Sequence, residues 1–285
     1  MTVAPTQQTG GPAFEELRAR EIGLTGLGAR EVPARMLEVG SGRPVVFLHG
    51  LVGLNDHWEE VVRRVAHRMR CILLEIPLLD LRGPDCSLDG VTVLTKGFLR
   101  EKVGEPAILV GNSFGGHVAL RVAIEAPEKV GGLVLAGASG LMERSIVNDV
   151  QLRPTREWMV RKIAELFRDP ETHMRDADVD RALAAVTDRD GARAMVRLSR
   201  TARRNHLGDR IALIKAPTLL IWGKCDVVTP PEAAQQFLEG IPGARITWLE
   251  ECGHAPMIEK PQEFADSLIG FAKELDAREG GRPAR

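Results

Sequence analysis

Tyrosine is missing from this chain altogether. No phenolic hydroxyl can therefore serve as an acid, a base or an oxyanion donor. An excess of either charge is missing too. Lys and Arg number 38 against 39 Asp and Glu, for a formal charge of −1, which offers no footprint for nucleic acid. No apolar run approaches the ~18–20 residues needed to span a bilayer, so no membrane partner is expected. The first residues, "MTVAPTQQTGGPAFEELRAR", lack the apolar stretch of a secretory signal. The four cysteines, Cys71, Cys86, Cys225 and Cys252, have neither C-x-x-C nor metal-ligand spacing. Neither a metal nor an organic cofactor is implied. These absences lead to the expectation of a soluble, cytoplasmic protein with reduced thiols. Nothing in the sequence sets an oligomeric state.

What is present is ordinary globular material. Of 285 residues, 44% are hydrophobic and 27% charged, enough for one α/β domain with an inserted subdomain. Six short apolar runs read as strands: "PVVFLHG", "RCILLEIP", "PAILVG", "VGGLVLAG", "PTLLIWG" and "ARITWLE". Their hydrophobicity is continuous rather than alternating, as in parallel strands covered on both faces. Helical patterns fill the gaps. Trp58, Val61, Val62, Val65 and Met69 share a face behind Asp56, an expected N-cap with Glu59 three residues on. Val118, Val122 and Ala126 form a stripe stopped by Pro127, and Phe264, Leu268 and Phe271 form another. Alternating strands and helices imply right-handed crossovers and a doubly wound, mostly parallel sheet.

From about Leu141 to Arg210 no strand pattern occurs, only helical segments rich in arginine and acids. This reads as a helical cap inserted after a sheet strand, its charges forming a solvated face. The expected layout is a disordered N-terminus at 1–13, a core at 14–140 and 211–277, a cap at 141–210 and a disordered tail at 278–285.

One motif carries chemistry. Gly111-Asn112-Ser113-Phe114-Gly115 is a G-x-S-x-G match between a predicted strand and a predicted helix. A sharp strand–serine–helix turn presents a hydroxyl beyond the sheet edge. Small residues two before and two after it relieve the crowding. The following helix N-terminus favours developing negative charge. Serine is a poor nucleophile without a base. His254, in "EECGHAPMIEKP", lies after the last predicted strand and should share the sheet edge of Ser113. His117, one helical turn past Ser113, is expected to pack. His49 is expected to shape its turn. His57, His67, His173 and His206 have no distinguishing context. The base needs an orienting carboxylate. Asp226 follows "PTLLIWGKC" and gives the order Ser, Asp, His. No acid directly follows "LVLAGASG"; Glu143 and Asp149 come only later, in the cap. The backbone N–H groups of Phe114 and Leu51 are the expected oxyanion donors, with Gly50 and Gly53 letting their loop pass close to substrate. Cys225 and Cys252 stand on loops that should converge near these residues, and two free thiols are expected there.

With "FLHG" at 47–50, "GNSFGG" at 111–116, "PTLLIWGKCD" at 217–226 and "GHAPMIEKP" at 253–261, the chain resembles the α/β-hydrolase fold family from roughly Pro33 to Leu275. The resemblance implies a Ser113–Asp226–His254 triad and places the cap after the sixth strand of that fold. "GNSFGG" is similar to the elbow of meta-cleavage product hydrolases, which split a C–C bond in vinylogous diketo acids. Asn112 in that elbow is expected to contact substrate. Two departures stand against that transfer. Ala255 follows the histidine where those enzymes usually carry tryptophan, and "LVGLNDHW" is poorer in glycine than their loop. Epoxide hydrolases and haloalkane dehalogenases use an aspartate nucleophile where this chain has Ser113. The apolar Pro77-Leu78-Leu79 is a further departure and either lines the pocket or packs.

The expected activity is therefore that of a serine hydrolase, carboxylesterase-like, cleaving a small, fairly apolar ester or related carbonyl compound. One alternative is C–C hydrolysis of a diketo acid, with a cap arginine such as Arg153 or Arg156 holding the carboxylate. The other is a ligand-binding protein on a hydrolase scaffold.

Overall fold

The computed structural model describes residues 19–28, 30–142 and 154–280. In chain order its strands are β1 (Arg20–Thr25), β2 (Glu31–Val39), β3 (Arg43–Leu48), β4 (Met69–Glu75), β5 (Ala107–Asn112), β6 (Val130–Ala136), β7 (Thr218–Gly223) and β8 (Arg245–Leu249). The core helices are α1 (Glu59–Val65), α2 (Leu88–Phe98) and α3 (Phe114–Glu125). After β6 come α4 (Arg156–Ala164), α5 (Pro170–His173), α6 (Asp176–Thr187) and α7 (Arg189–Arg204). The core resumes with α8 (Pro231–Gly240), α9 (Pro256–Glu259) and α10 (Pro261–Gly280).

These strands form one sheet in the order β1-β2-β4-β3-β5-β6-β7-β8. β1, β2 and β4 pair antiparallel, and every pair from β4 to β8 is parallel. All six strands expected from continuous apolar runs are present within a residue or two of their expected ends. Both faces of the sheet are covered, which is why those runs do not alternate. On one face Val46, Leu48 and Leu109 pack with Leu94, Leu120 and Phe237 from the helices. On the other Val45, Phe47 and Val110 meet Trp58, Phe264 and Leu268. Trp58 lies 5.3 Å from the ring of Phe47 and 5.7 Å from that of Phe264. Each such fully buried large side chain contributes about 1.5–3 kcal/mol.

The β1–β2 hairpin is absent from the sequence expectation. β2 does alternate over its first six residues, with Val32, Ala34 and Met36 buried and Glu31, Pro33 and Arg35 exposed. The signal is broken because Pro33 interrupts the run and pairs with Gly23, two residues that argue against a strand. A second correction concerns Asp56, which caps nothing. A turn of 3₁₀ helix at Asn55–Trp58 precedes α1 without a side-chain cap. The Asp56 carboxylate instead accepts from Arg175 at 3.1 Å and Arg181 at 3.4 Å. A third concerns the tail. α10 runs to Gly280, so 278–280 are helical rather than part of a disordered tail. Ala277, Arg278 and Glu279 are good helix formers, and after Gly270 the next glycines are the pair at 280–281. The expected disorder at 1–13 and 281–285 lies outside the described residues.

Between β6 and β7 the described residues form only helices, a cap inserted after the sixth strand. It has a small core of its own, built from Trp158, Met159, Ile163, Val179 and Ala182. Leu198 of α7 is buried in the main core. Leu78 is buried there too, so the Pro77-Leu78-Leu79 departure is packing.

The strand order reverses between β3 and β5. From β3 the chain goes outward to β4, and then β5 adds on the other side. The carboxyl ends of the two strands therefore open into one crevice, where α/β sheets bind ligands.

Candidate active site

The elbow stands at that crevice. Ser113 stands between β5 and α3 with φ 53° and ψ −119°. For a residue with a side chain this conformation costs about 1–3 kcal/mol. The surroundings enforce it. The Ser113 N–H donates to Ala136 O at 3.2 Å, and its carbonyl accepts from His117 N and Ser139 N, both at 3.1 Å. The flanking glycines are there for closeness. A β-carbon on Gly111 would lie 2.6 Å from Gly115 O, and one on Gly115 would lie 2.3 Å from Leu48 O.

His254 is buried on the loop between β8 and α9. Its Nδ1 lies 2.9 Å from Asp226 Oδ2. A carboxylate accepts here, so the proton sits on Nδ1 and Nε2 carries the lone pair. Asp226 is fixed in turn. Oδ1 accepts from the N–H groups of Val228 at 2.8 Å and Thr229 at 2.9 Å, and the Thr229 hydroxyl donates to Oδ2 at 2.8 Å. Buried at 2% exposure, this carboxylate needs those donors. Thr229 is a residue the sequence analysis missed. An acid followed three residues later by threonine is a turn pattern that could have revealed it.

Gly137, just past β6, lies against the His254–Asp226 pair. Its φ is +52°, and a β-carbon there would lie 2.8 Å from His254 Nδ1 and 3.1 Å from Asp226 Oδ2. No side chain fits beneath the pair. Glu143 and Asp149, the later acids, lie outside the described residues.

Asn112 lines the cavity, but its amide donates to Ala136 O at 2.9 Å and His254 O at 3.0 Å. The group expected to contact substrate thus spends its donors tying the elbow to the histidine loop. The loop after β3 turns tightly, with Gly53 N donating to Gly50 O at 3.1 Å. A β-carbon on Gly50 would be 3.4 Å from Ser113 Cβ, so this loop crosses directly over the serine.

Ser113, His254, Leu51 and Phe114 all line one cavity of about 230 Å³ between the sheet edge and the cap. Its walls are mostly apolar, from Val52, Trp158, Met159, Ile163, Phe167 and Met257 among others. Ala255 lines it as well. The cap cations in its wall are Lys162 and Arg203. Arg156 is not among them; it is exposed and paired with Asp176 at 2.5 Å and Asp180 at 3.0 Å. Arg153 lies outside the described residues.

The other histidines sort by burial. His117 donates from Nε2 to Asn205 O at 3.1 Å, and burial pushes its pKa down to about 4. His49 is also buried and lowered by desolvation, with Nδ1 2.8 Å from Gly50 O. His57 lines the cavity, its Nε2 3.3 Å from Asp178 Oδ1. Burial alone would raise the Asp178 carboxyl, but hydrogen bonds from His57 and Arg175 hold it well below the usual range. Arg181 also bonds Asp178, and this cluster joins α6 to the loop after β3. His67, His173 and His206 stand away from the cavity wall. All four cysteines are free thiols.

Among the described residues no helix is long and apolar enough to cross a membrane. A model described as the alpha/beta hydrolase family matches residues 45–267. The chain is 30% identical over 257 residues to the 2-hydroxy-6-oxo-6-(2'-aminophenyl)hexa-2,4-dienoic acid hydrolase of Metapseudomonas resinovorans, covering 84% of this chain and 87% of that one. It is 28% identical to the pimeloyl-[acyl-carrier protein] methyl ester esterase of Nitrosomonas europaea, over 79% of this chain and 94% of that one. A crystal structure of a serine hydrolase involved in carbazole degradation superposes with a TM-score of 0.75 at 28% identity, over 90% of this chain and 99% of that one. With the doubly wound sheet, the inserted cap and these matches together, the chain belongs to the alpha/beta hydrolase family and is a hydrolytic enzyme.

Proposed function

We propose that the protein is a serine hydrolase that cleaves a small, fairly apolar ester through an acyl-enzyme, with Ser113 as nucleophile, His254 as base and Asp226 as its orienting acid. The observation that carries this reading is the 2.9 Å bond to a fully hydrogen-bonded Asp226 from His254, which lines the same cavity as Ser113. Ser113 Oγ attacks the ester carbonyl carbon while its proton passes to His254 Nε2. The carbonyl oxygen takes up the electron pair, and the N–H groups of Phe114 and Leu51 stabilise it. The carbon–oxygen bond to the leaving alkoxide then breaks, and His254 supplies the proton that makes it an alcohol. Water next gives a proton to His254 and attacks the acyl carbon. Collapse returns that proton to Ser113 and frees the acid. Asp226 stays ionised throughout and holds the imidazolium. Asn112 positions the histidine loop rather than the substrate.

Ser113→Ala, assayed on p-nitrophenyl acetate and butyrate, is expected to lose turnover by about 10³-fold or more. Unchanged turnover would refute the assignment.

Two observations favour a second reading, C–C hydrolysis of a diketo acid. A relative named for such a substrate is 30% identical. Lys162, which pairs with Glu165 at 3.1 Å, and Arg203 stand in a mostly apolar wall and offer a substrate carboxylate positive charge. In that reaction the same serine attacks a ketone, and the departing carbon is protonated as its bond breaks. Assay of an ester series beside a dienoic diketo acid separates the two, by which substrate has the higher kcat/KM. The relatives' names, hydrolases and an esterase, speak against a purely ligand-binding role.

A further inference from the structure

We propose that Glu259 is a positioning residue for His254 and couples the histidine loop to the cap. The proposal rests on His254 being the general base. Glu259 ends α9, five residues after His254, and its side chain is buried at 6% exposure. Its two oxygens serve two different segments. Oε1 accepts from Gly253 N at 2.7 Å, with the Cys252 thiol at 3.9 Å. Oε2 accepts from Arg168 N at 2.7 Å and Asp169 N at 3.4 Å. Among the described residues no cation pairs with it, so these backbone donors carry the burial of its charge.

Gly253 is the residue before His254, and Arg168 and Asp169 belong to the cap between α4 and α5. The same two stretches meet again where the His254 N–H donates to Leu166 O at 2.8 Å. They touch backbone to backbone, since a β-carbon on Gly253 would lie 2.9 Å from both Leu166 O and Arg168 N. With Asn112 holding His254 O, the peptides on both sides of the histidine are anchored. Glu259 reaches neither the ring nor the cavity wall. It acts through where the loop sits.

The geometry requires an acceptor at each oxygen. Glutamine has nearly the same volume but only one acceptor, and its amide would face an N–H group. Glu259→Gln therefore breaks either the link to the histidine loop or the link to the cap. Steady-state kinetics of the full chain on the ester series, with Ser113→Ala as blank, test this. We expect Glu259→Gln to unfold cooperatively, keep KM within about threefold and lose about ten- to a hundredfold in kcat, as for a misplacement near 1 Å. A kcat within twofold of wild type overturns the proposal. So does a raised KM at unchanged kcat, which would make Glu259 a cavity-shaping residue only. Should Glu259→Gln unfold at assay temperature, Glu259→Asp is compared by the rate of fluorophosphonate labelling per folded molecule at 4 °C. A wild-type rate there overturns the proposal equally. If Ser113→Ala turns over like wild type, it is the serine mechanism that fails and not the role of Glu259.

Discussion

The residues around His254 form a chain of fixed orientations. The Thr229 hydroxyl and two backbone N–H groups fix Asp226, Asp226 fixes the Nδ1 proton, and the ring is left with one free nitrogen. Asp226→Asn would present an amide where a carboxylate is needed and favour the wrong tautomer. Its kcat on a p-nitrophenyl ester should fall about 10⁴-fold with little change in KM. Thr229→Val removes one of several bonds. A loss of about 1 kcal/mol, or five- to tenfold in kcat, is expected in the same assay. Motif and chain order single out Ser113, Asp226 and His254, because strand ends and a G-x-S-x-G turn are local patterns, and the fold brings Asp226 to 2.9 Å from His254. Thr229, Gly137 and Glu259 were not singled out. Their importance comes from what the fold brings beside them, and only Thr229 has a local turn signature.

Among the elements, parallel strands were the most legible, because burial on both faces leaves an uninterrupted apolar run. β2 was hidden by one proline, and the 3₁₀ turn at Asn55–Trp58 was misread because Asp56 answers to arginines about 120 residues away. The end of β6 is a case where an element's backbone decides chemistry. Gly137→Ala would place a methyl group against the His254–Asp226 pair and force a side chain into positive φ. It should destabilise the fold by about 1–3 kcal/mol, read by urea titration. It should also lower kcat beyond that loss, because the imidazole must shift.

At the scale of the whole molecule, buried histidines make the fold acid-sensitive. The folded pKa of His117 is lowered to about 4 from 6.5. Between those values the unfolded chain binds more protons than the native one, so stability rises with pH. The contribution is complete above pH 6.5 and is lost as pH falls toward 4, up to about 3 kcal/mol. His49, lowered in the same direction, adds to it. Thermal unfolding followed from pH 8 to 4 should show Tm falling below 6.5. His117→Gln, which keeps a donor for Asn205 O, should flatten part of that slope. Asp178 adds a second window at lower pH. Its folded pKa is depressed, so its stabilisation is present above the usual aspartate range and lost only as pH drops below it.

The cap is fastened unequally at its two edges. At the Leu166–Asp169 edge it is held by peptide hydrogen bonds and a buried carboxylate, which salt does not reach. At the α6 edge part of the fastening is Asp56 with Arg175 and Arg181, side chains between 33% and 43% exposed. Such pairs weaken as ions screen them. Raised salt should therefore loosen the α6 edge alone, lowering Tm slightly in a thermal melt, while the Leu166–Asp169 edge and Leu198 in the main core keep the cap in place.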